Sequence, residues 1–269
     1  MRHYLRAAHL EPSLTVTAVA CALAVGAGRS GAGVVWVGAA VLAGQVSVAW
    51  GNDWLDRERD RMVGRPDKPV AAGALAPAAV RNAALVALGA AVALSLASGP
   101  RATAVHLLGL GAGWAYNLRL KATGASVVPY AVAFGLIPVF VWVGLPGHPL
   151  PPWWAAVASA LLGSGAHCTQ ALPDLDADAR TGVRGLPQRL GFRGSLVAAA
   201  GLLGAGAAVI AAGVRPLEPV TGSAVAAGLL LVGGMLVAGL RGRTRLAFHL
   251  TIAAAGAVLV AFLAGTAGA

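Results

Sequence analysis

Residues 33–69 read GVVWVGAAVLAGQVSVAWGNDWLDRERDRMVGRPDKP. The first twenty positions carry no charged side chain, and the next seventeen carry ten. Twenty uncharged, mostly apolar residues are the length a helix needs to cross a bilayer. The sudden charge marks the point where such a helix leaves the hydrocarbon. The stretch therefore raises both the question of fold and the question of function.

The rest of the chain repeats the apolar half of that pattern. Of its 269 residues 58% are hydrophobic and 11% charged, with mean hydropathy +0.75. Soluble domains carry about a quarter charged residues, so the composition excludes that class. The Ala/Leu/Val runs show no alternation, which excludes a strand barrel. The expected fold is all-α, a multi-span transmembrane bundle, with residues 1–269 forming one integral-membrane domain. Nine spans are drawn by hydropathy and length, at 13–29, 33–52, 78–99, 102–118, 126–144, 152–173, 194–214, 220–240 and 246–266. The first follows Arg2 and Arg6 but is interrupted at its start by Glu11 and Pro12, so it reads as a retained helix rather than a secretory signal. Short connections predict antiparallel neighbours.

With nine spans, 17 of the 20 lysines and arginines fall on one face, leaving Arg29, Arg101 and Arg215 opposite. The positive-inside rule then predicts a cytoplasmic N-terminus, an outer C-terminus and residence in the cell membrane. Pro151-Pro152-Trp153-Trp154 is expected at the outer interface. The net charge of +10 is scattered between spans. That suits an anionic bilayer face and excludes nucleic acid, which wants a continuous basic stripe. Cys21 and Cys168 lie in apolar runs and read as small packing residues. Gly109, Gly111 and Gly113 follow no strand and precede no Gly-Lys-Ser/Thr, so they read as close-packing positions rather than a nucleotide loop.

The chain has ten acids. Asp53, Asp56, Glu58, Asp60 and Asp67 follow the second span, Asp174, Asp176 and Asp178 the sixth, and only Glu11 and Glu218 lie elsewhere. Both clusters fall on the cytoplasmic face. Asn52, Asp56 and Asp60 stand at i, i+4 and i+8, with Asp53 three before Asp56, so a continuing helix would carry all four on one side. Asp174 and Asp178 are one turn apart. A solvated loop is the competing reading, but like charges at i, i+4 cost a few tenths of a kcal/mol, and the pattern recurs at equivalent topological places. Two facing stacks of oxygen ligands suit Mg2+. An EF-hand fails, because Ala179 and Gly185 stand where glycine and glutamate are required.

Arg65, Lys68, Arg180, Arg184 and Arg189 share these loops, and Arg119 and Lys121 follow the fourth span. Carboxylates holding Mg2+ beside oxygen-clamping bases describe a diphosphate site. Its place at the mouth of a membrane bundle makes the remainder of the ligand apolar. An allylic prenyl diphosphate has both properties.

Asn52-Asp53-x-x-Asp56-x-x-x-Asp60, continuing to Arg65-Pro66-x-Lys68-Pro69 and Gly73, resembles the first Asp-rich motif of the UbiA superfamily of intramembrane prenyltransferases. Asp174-x-x-x-Asp178 with Gly182 and Leu186-Pro187-Gln188-Arg189-Leu190-Gly191 is similar to the second, and Tyr116 to Lys121 to a tyrosine-to-lysine segment after the fourth helix. The resemblance covers nearly the whole chain. It implies Mg2+ held by Asn52, Asp56, Asp60, Asp174 and Asp178, with Arg65, Lys68 and Lys121 stabilising the departing diphosphate. Tyr116, Arg119 and Gln170 are further expected substrate contacts. It also implies an electron-rich, usually aromatic, acceptor. Asp53 and Asp176 are open as base, metal partner or supporting charge. Departures are Asp176 in place of a common glutamate and Gly185 near a common threonine or serine. His167-Cys168-Thr169-Gln170 is polar for a membrane interior, and Gln170 and His167 are expected to line the cavity. Two rival functions stand beside the transferase. A terpene cyclase of the same fold would need Trp50, Trp54, Trp114, Tyr116, Tyr130, Phe134 and Phe140 to cluster around a cation. A transporter would place its acids near the bilayer midplane.

Overall fold

The computed structural model describes residues 1–214 and 217–266; Arg215, one of the three bases assigned to the outer face, lies outside them. Its helices are α1 (Arg2–Ala7), α2 (Leu10–Gly26), α3 (Gly31–Leu55), α4 (Arg57–Met62), α5 (Pro77–Ser95), α6 (Pro100–Leu118), α7 (Val128–Val143), α8 (Trp153–Gln170), α9 (Leu175–Arg180), α10 (Leu186–Gly213), α11 (Pro219–Leu240) and α12 (Thr244–Thr266). Short 3-10 turns follow α5, α6 and α8, and no strand occurs among the described residues. Nine of the described helices run 16 residues or more, and they coincide with the nine apolar runs. Five of them (α3, α5 with its 3-10 turn, α10, α11 and α12) are long and apolar enough to cross a membrane on those criteria alone, and α2 and α7 are shorter apolar helices.

Proline starts many of these helices. It stands in the first turn of α5, α6, α7, α10 and α11, where its missing N–H has no intrahelical partner to lose. Pro12 does the same for α2, so Glu11 and Pro12 open the helix instead of interrupting it. The expected start of the seventh run at 194 also has a cause. Inside α10, Gly191 is non-helical at φ 68°, and the polar turn before it is a separate arm that returns to the charged end.

Sequence neighbours pack as hairpins, and α12 comes back onto α8 and α2. Because α3 also packs on α6, and α2 on α7, the helices enclose a space instead of stacking in layers. One core is built from Val37, Ala40, Phe140, Val141, Ala207 and Phe262, the other from Cys168, Leu196, Leu203 and Met235. Both cysteines are free. Small residues set the helix spacing. A Cβ on Gly163 would lie 2.3 Å from the Phe134 ring, so this glycine lets Phe134 of α7 pack directly against α8. The outer surface is apolar, with Val86, Val197 and Leu230 largely exposed, as expected where lipid replaces water.

Candidate active site

The enclosed space is a cavity of about 470 Å³ lined by α2, α3, α6, α7 and α8. Along α3 its wall runs from Asn52 to Val41, a depth of about 16 Å at the helical rise. Val41, Val105, Leu110, Ile137 and Phe140 line the far end, and Asn52, Asp56, Asp60, Asp174 and Asp178 line the mouth. The apolar body and charged mouth read from the sequence are thus parts of one space.

The mouth is assembled from two connections. In the first, α3 ends at Leu55 and α4 starts at Arg57. The Asp60 N–H still donates to the Asp56 carbonyl at 2.8 Å, which keeps the helical register across the break. Asn52, Asp56 and Asp60 therefore share one face. Asp53 does not join them: its side chain lies behind the wall, fully buried, and accepts from Lys68 Nζ at 2.6 Å. The expected four-residue face is a three-residue one, because adjacent helical positions point about 100° apart.

Bases interleave with these acids. Asp56 accepts from Lys121 Nζ through Oδ1 and from Arg59 Nη2 and Asn52 Nδ2 through Oδ2, the last two at 2.8 and 2.9 Å. Arg59 also approaches Asp60 at 3.8 Å and Asp178 at 3.9 Å. Alternation with the inward acids would put Arg57, Glu58, Arg59 and Arg61 on a solvent face. Glu58 and Arg61 do lie there, but the break at Asp56 turns Arg59 inward. Arg65 Nη1 donates to Asp174 Oδ1 at 2.9 Å, which ties the two connections together across 109 residues of sequence. Asp178 accepts from Gln188 Nε2 at 2.7 Å, and Asn117 accepts from Asn52 at 3.2 Å.

Burial and like charge hold the Asp60 and Asp178 carboxyls above the ordinary carboxylate range, desolvation being the larger cause for each. Desolvation likewise lowers the Lys121 ammonium. The hydrogen bonds from Arg65 keep Asp67 below its usual value and raise the guanidinium itself. Six carboxylates (Asp53, Asp56, Asp60, Asp67, Asp174, Asp178) meet four bases (Arg59, Arg65, Lys68, Lys121). The excess of two negative charges and an all-oxygen donor set suit a hard divalent cation. Among the described residues no three His, Cys, Asp or Glu side chains already converge on one point; each inward carboxylate is turned instead toward a base or an amide.

Below the mouth lies an aromatic group. The Tyr130 ring stacks on His167 with centroids 4.5 Å apart, and Tyr116 stands edge-on to both at 5.2 and 5.7 Å. Tyr130 Oη donates to Gln170 Oε1 at 3.1 Å, and Phe134 is parallel to Tyr130 at 6.2 Å. His167 is fixed by Ser126, whose hydroxyl lies 3.0 Å from Nε2.

Of the expected substrate contacts, Arg65, Lys68, Tyr116, Lys121 and Gln170 line the cavity. Arg119, Arg180, Arg184 and Arg189 are exposed and do not. A distorted backbone at Arg119, φ −153°, ends α6 and points this residue away while the next turn delivers Lys121 inward. Asp176 is exposed beside Asp178. Sequence reasoning missed Arg59 and His9, and cited Asn117 and Gln188 only as members of motifs. The helical offset from Asp56 pointed to Arg59; nothing local pointed to His9.

A family model described as the UbiA prenyltransferase family matches residues 13–245. The apo structure of a UbiA homolog from Aeropyrum pernix K1 superposes with TM-score 0.79 at 20% identity, over 95% of this chain and 97% of that one. A structure of digeranylgeranylglyceryl phosphate synthase gives 0.73 at 17% identity, over 100% and 99%. A UbiA homolog from Archaeoglobus fulgidus bound to GPP and Mg2+ gives 0.67 at 18%, over 96% and 99%. No curated protein matches the sequence.

Proposed function

The chain belongs to the UbiA prenyltransferase family, and from that membership we propose that it ionises an allylic prenyl diphosphate with Mg2+ and transfers the prenyl group to an acceptor, an aromatic ring being the expected class. One observation carries the reading: two Asp-rich connections, joined by Arg65 and Asp174, meet at the mouth of a cavity whose body is apolar. The Archaeoglobus fulgidus homolog bound to GPP and Mg2+ supports the ligand class.

Asn52, Asp56, Asp60, Asp174 and Asp178 would hold the metal. Bound there, Mg2+ supplies charge neutralisation for the leaving diphosphate. Lys121, Lys68 and Arg65 receive phosphate oxygens from the mouth, each already oriented by a carboxylate. Such fixed donors stabilise charge that develops as the C–O bond breaks and its electron pair leaves with the diphosphate. The faces and edges of Tyr116, Tyr130 and His167 sit directly beneath, where an allylic cation would form, and shield it from water. An acceptor carbon then bonds to the cation and loses a proton. In this reading all nine long helices cross the bilayer, with the N-terminus and the site on the cytoplasmic face, as the distribution of 17 of 20 bases supports.

The same aromatic group favours one second reading, a cyclase in which the ligand's own double bond attacks the cation. Purified protein with Mg2+ and prenyl diphosphates of graded length, with and without aromatic acceptors, separates the two by mass spectrometry. A prenylated acceptor supports transfer. A cyclic hydrocarbon or alcohol formed without acceptor replaces transfer with cyclisation. Absence of C–O cleavage with every diphosphate defeats both. The transporter reading has little left, since the acids gather at one end of the bundle.

A further inference from the structure

The first twelve residues lie outside the span matched by the family model, yet they reach the diphosphate mouth. Helix α1 is pinned at its middle, where Trp50 Nε1 donates to the Tyr4 carbonyl at 3.0 Å and the Tyr4 ring stands edge-on to the indole. Ser13 Oγ closes the junction by donating to the Ala8 carbonyl at 2.9 Å. Between these anchors His9 adopts φ 45°, ψ 59°. The left-handed region is uncommon for any residue with a Cβ, and such outliers persist where the surroundings enforce them. Here the conformation swings the imidazole into the cavity wall.

What it meets there is Lys68. The ammonium has three N–H groups and three polar partners: Asp53 Oδ1 at 2.6 Å, His9 Nε2 at 2.9 Å and Asn52 Oδ1 at 3.5 Å. With its proton on Nδ1 the imidazole accepts from Lys68 Nζ, and with its proton on Nε2 it donates to Asp53 Oδ1 at 3.2 Å; either way it holds the Lys68–Asp53 pair in place. The two short bonds come from groups behind or beside the wall. The third and longest faces the mouth, and it is the one a phosphate oxygen replaces at least cost. Lysine is a flexible point charge that on its own would sample many positions; two fixed partners leave it one.

We propose that His9 is a positioning residue for the diphosphate: together with Asp53 it fixes the Lys68 ammonium with one N–H aimed at the leaving group. This rests on the function proposed above and adds a residue from a segment that the family match does not cover. The test compares wild type, His9→Ala and His9→Gln in detergent, titrated with geranyl S-thiolodiphosphate and MgCl2 by calorimetry, alongside steady-state kinetics and thermal melts. His9→Ala is expected to raise both Kd for the thiolodiphosphate and KM about tenfold, the scale of one hydrogen bond to a charged group, with a smaller fall in kcat. His9→Gln, whose Oε1 can accept from Lys68, should recover most of that loss. In a Lys68→Ala background the His9→Ala effect should vanish. Equal Kd for wild type and His9→Ala overturns the proposal, as does a loss confined to kcat and melting temperature that glutamine fails to rescue. If wild type binds no thiolodiphosphate, it is the functional reading that fails, and this one falls with it.

Discussion

The two halves of the mouth are built to different standards of rigidity. In the first connection the Asp53, Asp56 and Asp60 side chains are 0%, 6% and 5% exposed, and Lys68, Lys121 and Arg59 pair with them. In the second, the Asp174 side chain is 43% exposed and that of Asp178 17%. Each has one close partner, Arg65 and Gln188. Buried charges are tolerable only when paired and hydrogen-bonded, so the first half is a preassembled frame. The second half is attached to it by few bonds and is the side free to adjust to a ligand.

The steepest test of that contrast is Asp56→Ala. Asp56 is the node of the frame, bonded to Lys121, Arg59 and Asn52, and its loss removes a proposed metal ligand and leaves two half-buried bases without their carboxylate. We expect kcat/KM for the prenyl diphosphate to fall by about a thousandfold. A fall no larger than that of Asp174→Ala would show that the halves are equivalent. Arg65→Ala removes the link between them and a proposed phosphate donor together. A loss of about a hundredfold is expected, with Lys at this position recovering little because only the guanidinium fork reaches Asp67 and Asp174 at once. Full rescue by Lys would mean that charge alone matters and that the bridge to the second half is incidental.

How much of this contrast is legible in the sequence follows from which forces act locally. The nine apolar runs were readable because spanning length and hydropathy are properties of the chain itself. The i, i+4 spacing of Asn52, Asp56 and Asp60 was readable for the same reason, and it placed those three correctly. Asp53 was misplaced because it stands one position, about 100°, from Asn52, and Arg59 turns inward at the break at Asp56, which a charged juxtamembrane segment does not announce. Arg119 and Lys121 look alike in sequence; only the irregular end of α6 sends one outward and the other in. His9 was invisible because its meaning lies in Lys68, 59 residues away. Contacts across the bundle are fixed by packing, and one sequence does not list its own packing partners.

A smaller effect probes the looser half directly. Gln188→Ala deletes the one close hydrogen bond on Asp178 but leaves the carboxylate in place. A several-fold rise in the Mg2+ concentration needed for half-maximal turnover is expected, with kcat little changed. If the second half were as rigid as the first, the carboxylate would stay put and nothing would move.

The smallest effect concerns stability and both halves together. Asp60 and Asp178 have carboxyls raised above the ordinary range, chiefly by desolvation. For a carboxyl whose folded value exceeds its unfolded one, the folded state binds more protons between the two, so stability falls as pH rises through that window. Ionising these groups at neutral pH therefore works against the metal-free fold. A divalent cation binds the ionised forms and removes the penalty, whereas protons compete for the same oxygens at lower pH. MgCl2 at saturation should thus raise the melting temperature by a few degrees at pH 7.5 and by clearly less at pH 5, with Asp178→Asn losing part of the increment and Asp60→Asn, in the buried frame, more. A Mg2+ shift independent of pH, or one unaffected by either substitution, would place the cation away from these carboxylates and undo the contrast between frame and adjustable half.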